Sequence, residues 1–304
     1  MKTGKISENI YRRSILKNIS QRDNESVLGD LVTVAQTLVD KYNQLELTAI
    51  RTLYRCINRL LADGATPIGV QIAITLTDRV SEKKLADTMR RLDDICASED
   101  IIILGGHTEV SDEISRNVVS ITAIGRLMYD KSEQIDLQSE PQVVLTKWIA
   151  LGTTSSLAMA HRQELEKRLP AWLLDDACGF DRFLSARAEA HIAWELGALD
   201  IKSIGAKGIF GSLWELGQSL NCGMEIMLRD IPIRQETVEV CELLDINPYE
   251  EDSSGALLIV TKDAKALVER LTAEGISAAM IGRLNSTNDR VLLSGGERRF
   301  LDKT

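Results

Sequence analysis

The chain has 304 residues, 44% hydrophobic, 27% charged and 4% aromatic, with a formal net charge of −9 from 36 basic and 45 acidic residues. Such a composition is globular and excludes a disordered, collagenous or disulfide-stapled chain, and the length suggests about two domains. The acidic balance, without any long Lys/Arg run, argues against nucleic acid as a partner, and no apolar run approaches the roughly 20 residues that span a bilayer.

Taken in order, residues 6–19 read as a first helix, with Ile10, Ile15, Leu16 and Ile19 on one stripe. Apolar residues then recur at helical spacing from 31 to 61, and the helix is expected to end near Asp63-Gly64, with Pro67 just beyond. Val70–Leu76 is a short, partly β-branched apolar run and reads as a strand. Ser81 caps a predicted amphipathic helix over 82–97, with Leu85, Met89, Leu92 and Cys96 inward. A strand over 101–104 runs into a Gly105-Gly106 turn, and a second strand covers 118–127. The polar stretch 130–141 is the natural linker, giving domains 1–141 and 142–304. Beyond it, strands are expected over 143–150, 224–228, 255–260 and 278–284. Helices are expected from Gly152 toward Arg168, and over 180–197, 209–220, 235–244 and 264–274. Alternating helices and strands in both halves give an α/β (α+β) class. Five cysteines, Cys56, Cys96, Cys178, Cys222 and Cys241, are scattered without a CxxC pair. They read as small buried apolar residues of a reduced, cytoplasmic protein, and the N-terminal MKTGKISENIYRRSILKNI shows no signal-peptide core.

Several segments share an order and spacing. They are Asn58 with Ala62-Asp63-Gly64-Ala65-Thr66-Pro67, Ile103–Val110 (ILGGHTEV), Gly208–Glu215 (GIFGSLWE), Ser253–Ile259 (SSGALLI) and Gly275–Arg283 (GISAAMIGR). Together they resemble the AIR synthase-related superfamily, nearest in flavour to its uncharacterised branch similar to the hydrogenase-maturation carbamoyl dehydratase. The resemblance implies an N-terminal sheet that pairs with a second subunit's in a homodimer barrel, and a C-terminal α/β domain beside it. It also implies an ATP site with Mg²⁺, used to phosphorylate a carboxamide or similar oxygen, with aspartates at the metal. The ligand-contact residues it suggests are Asn58, Gly105, Gly106, His107, Thr108, Glu109 and Gly208.

Three departures accompany the likeness. Where relatives carry G-x-G-x-D-A-A, residues 27–35 read VLGDLVTVA. Where they place Asp after the helix asparagine, the chain has Asn58-Arg59. Where they read H-D-x-T-E-G-G, residues 202–208 are KSIGAKG. A cation beside a metal site repels Mg²⁺. The Gly105–Glu109 segment reads either as an anion-contacting loop or as a plain strand-to-loop turn. Gly152–Ser156 reads as an anion-binding helix start or as simple capping. Lys147 and Lys207 are candidates for replacing lost metal charge or are solvated, and Glu250-Glu251-Asp252 reads as a solvated turn. The functional expectation is a ligand-binding or regulatory homodimer, with a small-molecule ligand, that no longer turns over ATP. The alternative is a working ATP-dependent enzyme. Neither reading calls for a membrane.

Overall fold

A computed structural model describes residues 27–129, 131 and 135–302, together with positions 10 and 13–15. The helix expected over 6–19 otherwise lies outside the described residues, as do 130 and 132–134 of the expected linker. The N-terminal half holds β1 (Val27–Leu28), β2 (Leu31–Val39), α1 (Leu45–Ala62), β3 (Ala65–Leu76), α2 (Glu82–Ser98), β4 (Ile102–Val110) and β5 (Val118–Leu127). Its five strands lie in the order β1-β2-β5-β3-β4, with β3 and β4 parallel and the other pairs antiparallel.

Residues 31–39 form a strand, not the front of a helix. Val32, Val34, Gln36 and Leu38 alternate with the exposed Thr33, Ala35, Thr37 and Val39, a period of two in which β-branched residues suit a pleated surface. The helical period begins only at Leu45, where Gln44 N–H donates to Asp40 Oδ1 at 2.6 Å. The end of α1 falls as expected. Gly64 takes φ +79°, and a Cβ there would sit 2.3 Å from Tyr129 O, so glycine is required. The predicted cap of α2 also forms, Ser81 Oγ accepting from Lys84 N–H at 3.2 Å, an arrangement worth about 1 kcal/mol.

Gly105 and Gly106 do not make a turn. β4 continues through them to Val110, with Leu104 bulged out of register against β3. A Cβ on Gly106 would meet Ile72 O at 1.7 Å, so this glycine permits close strand pairing.

The C-terminal half contains β6 (Gln142–Thr146), α3 (Leu151–Ala160), α4 (Arg162–Leu165), α5 (Ala171–Cys178), α6 (Arg187–Glu195), β7 (Asp200–Ser203), α7 (Gly208–Ser219), β8 (Gly223–Met227), α8 (Gln235–Leu243), β9 (Leu257–Thr261), α9 (Ala264–Ala273), β10 (Ala278–Asn285), β11 (Arg290–Ser294) and β12 (Glu297–Phe300). Its sheet runs β12-β11-β8-β10-β6-β9-β7. The helix over 171–178, the strand over 200–203 and the terminal hairpin have no counterpart in the sequence reading, and the helix expected over 180–197 is shortened to 187–195. One hydrophobic core runs through both halves: Leu53 and Ile57 of α1 and Ile121 of β5 cluster with Trp194, Ile201 and Ile259. Trp194 Nε1–H also donates to Leu61 O at 2.9 Å, fixing α1 against α6. The molecule is therefore a mixed α/β, two-domain fold with α1 packed between its halves.

Candidate functional site

Helix α1 carries Arg51, Arg55 and Arg59, four residues apart and hence stacked on one face. That face lines a cleft of about 860 Å³. Its other walls are the end of β2, Thr153 and Ser156 at the start of α3, residues 202–207, and the 251–254 turn. Each arginine meets an acid. Arg55 Nη2 lies 2.7 Å from Asp252 Oδ2, and its Nε–H donates to Ser254 Oγ at 2.9 Å. Arg59 Nε–H donates to Asp63 Oδ2 at 2.7 Å. Arg51 is only 7% exposed; it donates through Nη1 to Ser156 Oγ, and its Nη2 lies 3.5 Å from Asp181. Neither Arg51 Nε nor Nη2 is placed in a hydrogen bond.

Burial lowers the Arg51 pKa against the opposing pull of Asp181 and Asp252. Burial alone raises the Asp252 carboxyl, but Arg55 and Arg51 outweigh it and hold that group below its ordinary value. Asp181 goes the other way, its carboxyl raised by burial despite Arg51. The 251–254 turn is thus no solvated loop. Ser254 Oγ–H donates to Asp252 Oδ1 at 2.6 Å and Thr153 Oγ1–H donates to Glu251 Oε2 at 2.9 Å, fastening the turn to α3.

Of the seven residues singled out by the sequence, Asn58 alone lines this cleft, and its amide is already used. Its Nδ2 donates to Leu184 O at 2.7 Å and its Oδ1 accepts from Ala186 N–H at 3.0 Å, which orders the 184–186 segment. Gly105, Gly106, His107, Thr108 and Glu109 lie on β4, at the sheet edge and exposed. There Glu109 accepts from Thr75 Oγ1 at 3.2 Å, and His107 Nε2 stands 3.4 Å from Glu109 Oε2. Gly208 takes φ +62° at the start of α7, where a Cβ would meet Tyr249 O at 2.4 Å; it permits close packing on that turn.

Lys147 neither faces the cleft nor is solvated. It is buried, lies 2.6 Å from Glu189, and donates to the carbonyls of Phe183, Ser185 and Gly255 at 3.0, 2.5 and 3.1 Å. Burial lowers its pKa against the opposing effect of Glu189. Lys207 does border the cleft, 3.7 Å from Glu215, which also takes Lys202 at 3.0 Å. The hydroxyls of 153–156 do not cap α3, whose N-cap is Ala150. Thr154 donates to Ala150 O at 2.8 Å and Ser155 to Cys178 O at 3.1 Å, while Thr153 and Ser156 face the cleft. Among the described residues no group of three or more His, Cys, Asp or Glu is placed to hold a metal. The five cysteines are free, and four are buried; burial pushes the Cys56 thiol up to about 12 and that of Cys241 to about 11.

The arginine row escaped the sequence reading. Its signal was present as R-T-L-Y-R-C-I-N-R, three arginines at i, i+4 and i+8 beside the apolar stripe of a helix.

Residues 23–127 match the model of the AIR synthase related protein N-terminal domain, and residues 142–293 match that of the C-terminal domain. The chain belongs to the AIR synthase-related family. Relatives of this AIR synthase-related chain include a hydrogenase expression/formation protein of Methanocaldococcus jannaschii, 20% identical over 244 residues, spanning 78% of this chain and 70% of that one. Carbamoyl dehydratase HypE of Rhodobacter capsulatus is 23% identical over 235 residues, 75% of this chain and 66% of its own length. Among solved structures, a HypE–HypF complex superposes with a TM-score of 0.76 at 14% identity, covering 97% of this chain and 99% of that one. Hydrogenase maturation protein HypE in complex with ATP gives 0.73 at 15% identity, covering 99% and 95%. At these identities the solved structures establish a shared fold.

Proposed function

We propose that this AIR synthase-related chain is a hydrogenase-maturation-factor-like, ligand-binding homodimer of the cytoplasm whose cleft takes an anionic small molecule and does not transfer phosphate with magnesium. One observation carries the reading: a row of arginines, the innermost buried and incompletely hydrogen-bonded, lines a cleft large enough for a ligand. The residues present suit phosphate oxygens better than a metal. Magnesium calls for carboxylate and water oxygens, whereas Asp252 and Asp63 are engaged by Arg55 and Arg59, and residues 203–206 offer Ser, Ile, Gly and Ala.

The homodimer is supported by the open edge of the N-terminal sheet, where Ile102, Leu104 and Val110 of β4 are 66, 53 and 65% exposed. Among the described residues no helix is long and apolar enough to cross a membrane. A domain boundary at 141/142 belongs to the same reading, supported by its position between β5, which ends at Leu127, and β6, which starts at Gln142.

The test is calorimetric titration of ATP with and without Mg²⁺, followed by an assay of ADP release. The expected result is no magnesium-dependent ADP release above the buffer rate. Robust release overturns the reading in favour of a second one, an ATP-dependent enzyme acting on a carboxamide or similar oxygen. That second reading draws its support from the full-length match to a HypE structure that holds ATP. Light scattering at micromolar concentration tests the dimer, a monomer being the contrary result.

A further inference from the structure

We propose that the protein carries a second anion site, outside the cleft, which takes a small polyanion and thereby fastens the loop between β2 and α1. The site is a separate cavity of about 320 Å³ among that loop, the residues that follow β3 and those that precede β5. Three cations line it, Arg79, Lys84 and Arg116, and the single acid among its lining residues is Asp40. The chain as a whole carries a net charge of −9, so a wall of this sign runs against the general balance.

The floor of the cavity is closed by its own hydrogen bonds. Asp40 and Asn117 are 2 and 3% exposed, and Asn117 Nδ2 donates to Asp40 Oδ2 at 3.0 Å. Asn117 Oδ1 accepts from Thr77 N–H at 3.0 Å, and Gln44 N–H donates to Asp40 Oδ1 at 2.6 Å. Both carboxylate oxygens therefore serve the floor. The cations are placed differently. Lys84 Nζ donates to Asn43 O at 3.1 Å and Arg116 Nη1 donates to Lys41 O. An ammonium has three N–H donors and a guanidinium five, so each keeps most of its donors after serving one carbonyl. Arg79 is exposed, and among the described residues it makes no hydrogen bond or ion pair. Asp78 and Glu82, its acidic neighbours in sequence, are exposed and do not line the cavity.

Three like charges around one small cavity repel each other, and an anion that bridges them removes that cost. Guanidinium forks favour paired oxygens, a chemistry that carboxylate and phosphoryl groups share. The volume lies at the lower end of the roughly 300–1,000 Å³ of ligand sites, which selects a compact molecule with two or more anionic groups. Such a ligand would hold Lys84 and Arg116 in one geometry, and with them the carbonyls of residues 43 and 41. The same loop borders the cleft through Lys41, Tyr42 and Gln44, and Gln44 Nε2 donates to Ser156 O at 3.3 Å. Asp40 lines both cavities. The assignment does not depend on what the cleft binds.

The experiment titrates pyrophosphate and citrate separately into the unmodified protein in metal-free buffer of low ionic strength. Calorimetry reads binding, and hydrogen exchange reads the 40–44 segment. Saturable binding tighter than roughly 1 mM is expected for at least one of the two, with slower exchange at 41–43. Pyrophosphate alone identifies a phosphoryl ligand, and citrate alone a carboxylate one. Arg79→Gln and Arg116→Gln are each expected to weaken binding about fivefold, the upper range for exposed charge pairs. Arg79→Gln is the decisive variant, because that side chain holds nothing else in the protein. Lys83→Gln, on an exposed α2 lysine outside the cavity, is expected to leave affinity unchanged. Absence of saturable binding, equal affinity in Arg79→Gln and Arg116→Gln, or binding without slower exchange at 41–43 overturns the inference. A loss in Arg59→Gln, on the cleft wall, with none in Arg79→Gln moves the anion to the cleft. That result overturns this site and leaves the cleft reading intact, whereas the reverse pattern supports the site whatever the cleft proves to bind.

Discussion

Strand β4 and the 251–254 turn both carry charged side chains, and the fold treats them oppositely. β4 lies at the edge of its sheet, so His107 and Glu109 face water, with 71 and 53% of their side chains exposed. The turn lies under α1, which sets Arg55 against Asp252 and closes the charge within the protein. An acid becomes part of a site when a partner on another element fixes it in a restricted volume. An acid at a free edge is merely hydrated. The same contrast applies to glycine: Gly106 is needed because the β3 backbone is too close for a side chain, whereas Gly205 faces open space at the cleft wall.

Gly106→Val is the most disruptive substitution on the strand side of this contrast. With a Cβ at 1.7 Å from Ile72 O, β3 and β4 cannot pair as they do, and relaxation must move backbone. The variant is expected to lose cooperative folding of the N-terminal sheet, a cost comparable with the roughly 5–15 kcal/mol that holds a domain together. Circular dichroism melting checks it; an unchanged transition would return Gly106 to the role of a permissive loop glycine.

Next in size is Glu189→Ala. It strands Lys147, whose ammonium holds three carbonyls on the segments that lead into the cleft wall and α6. Removing one partner of a buried pair costs about 3–5 kcal/mol, readable as a lower urea midpoint. Replacement of both residues, Lys147→Met with Glu189→Leu, is expected to cost less than the single change, because no uncompensated charge remains.

Sequence patterns carried much of the fold. Ser81, Gly64 and the alternation over 118–127 each fixed an element through local chemistry that needs no distant partner. Residues 31–39 misled because apolar residues with helical spacing also satisfy a period of two over so short a run. The site was far less legible. Asp252 lies 197 positions from Arg55 and Asp181 lies 130 from Arg51, so nothing local distinguishes those acids from solvated ones. The Gly105–Glu109 motif was conspicuous in sequence, but the closeness of β3 that explains its second glycine is a tertiary fact.

A smaller effect is expected from acid. Glu236 is held at about 2, below its ordinary 4.5, chiefly by Arg234, whose Nε and Nη2 both reach it at 3.0 Å. Because the folded value is depressed, this contribution is complete above pH 4.5 and disappears as pH falls through about 2. It amounts to at most about 3 kcal/mol. Asp252 acts in the same direction; Asp181, raised by burial, acts in the opposite one. Urea unfolding at pH 7, 4.5 and 3 should show stability falling over the last interval, with a shallower fall in Glu236→Gln. Equal slopes in the two proteins would remove Glu236 as the cause.

The smallest effect belongs to the exposed strand. Glu109→Gln and His107→Ala remove a 3.4 Å pair in water, and Glu109→Gln also leaves an acceptor for Thr75 Oγ1. Exposed pairs of this kind are worth about 0–1 kcal/mol. Each variant is therefore expected to melt within a degree or two of the parent and to give an ATP titration within twofold of it. The binding arm tests more than stability. Within one copy of the chain, β4 does not line the cleft, so a side chain at 107 or 109 has no route to the ligand. A tenfold loss of affinity with unchanged melting would require β4 of a second copy to reach the cleft. The edge strand and the arginine row would then be two halves of one site completed only in the dimer.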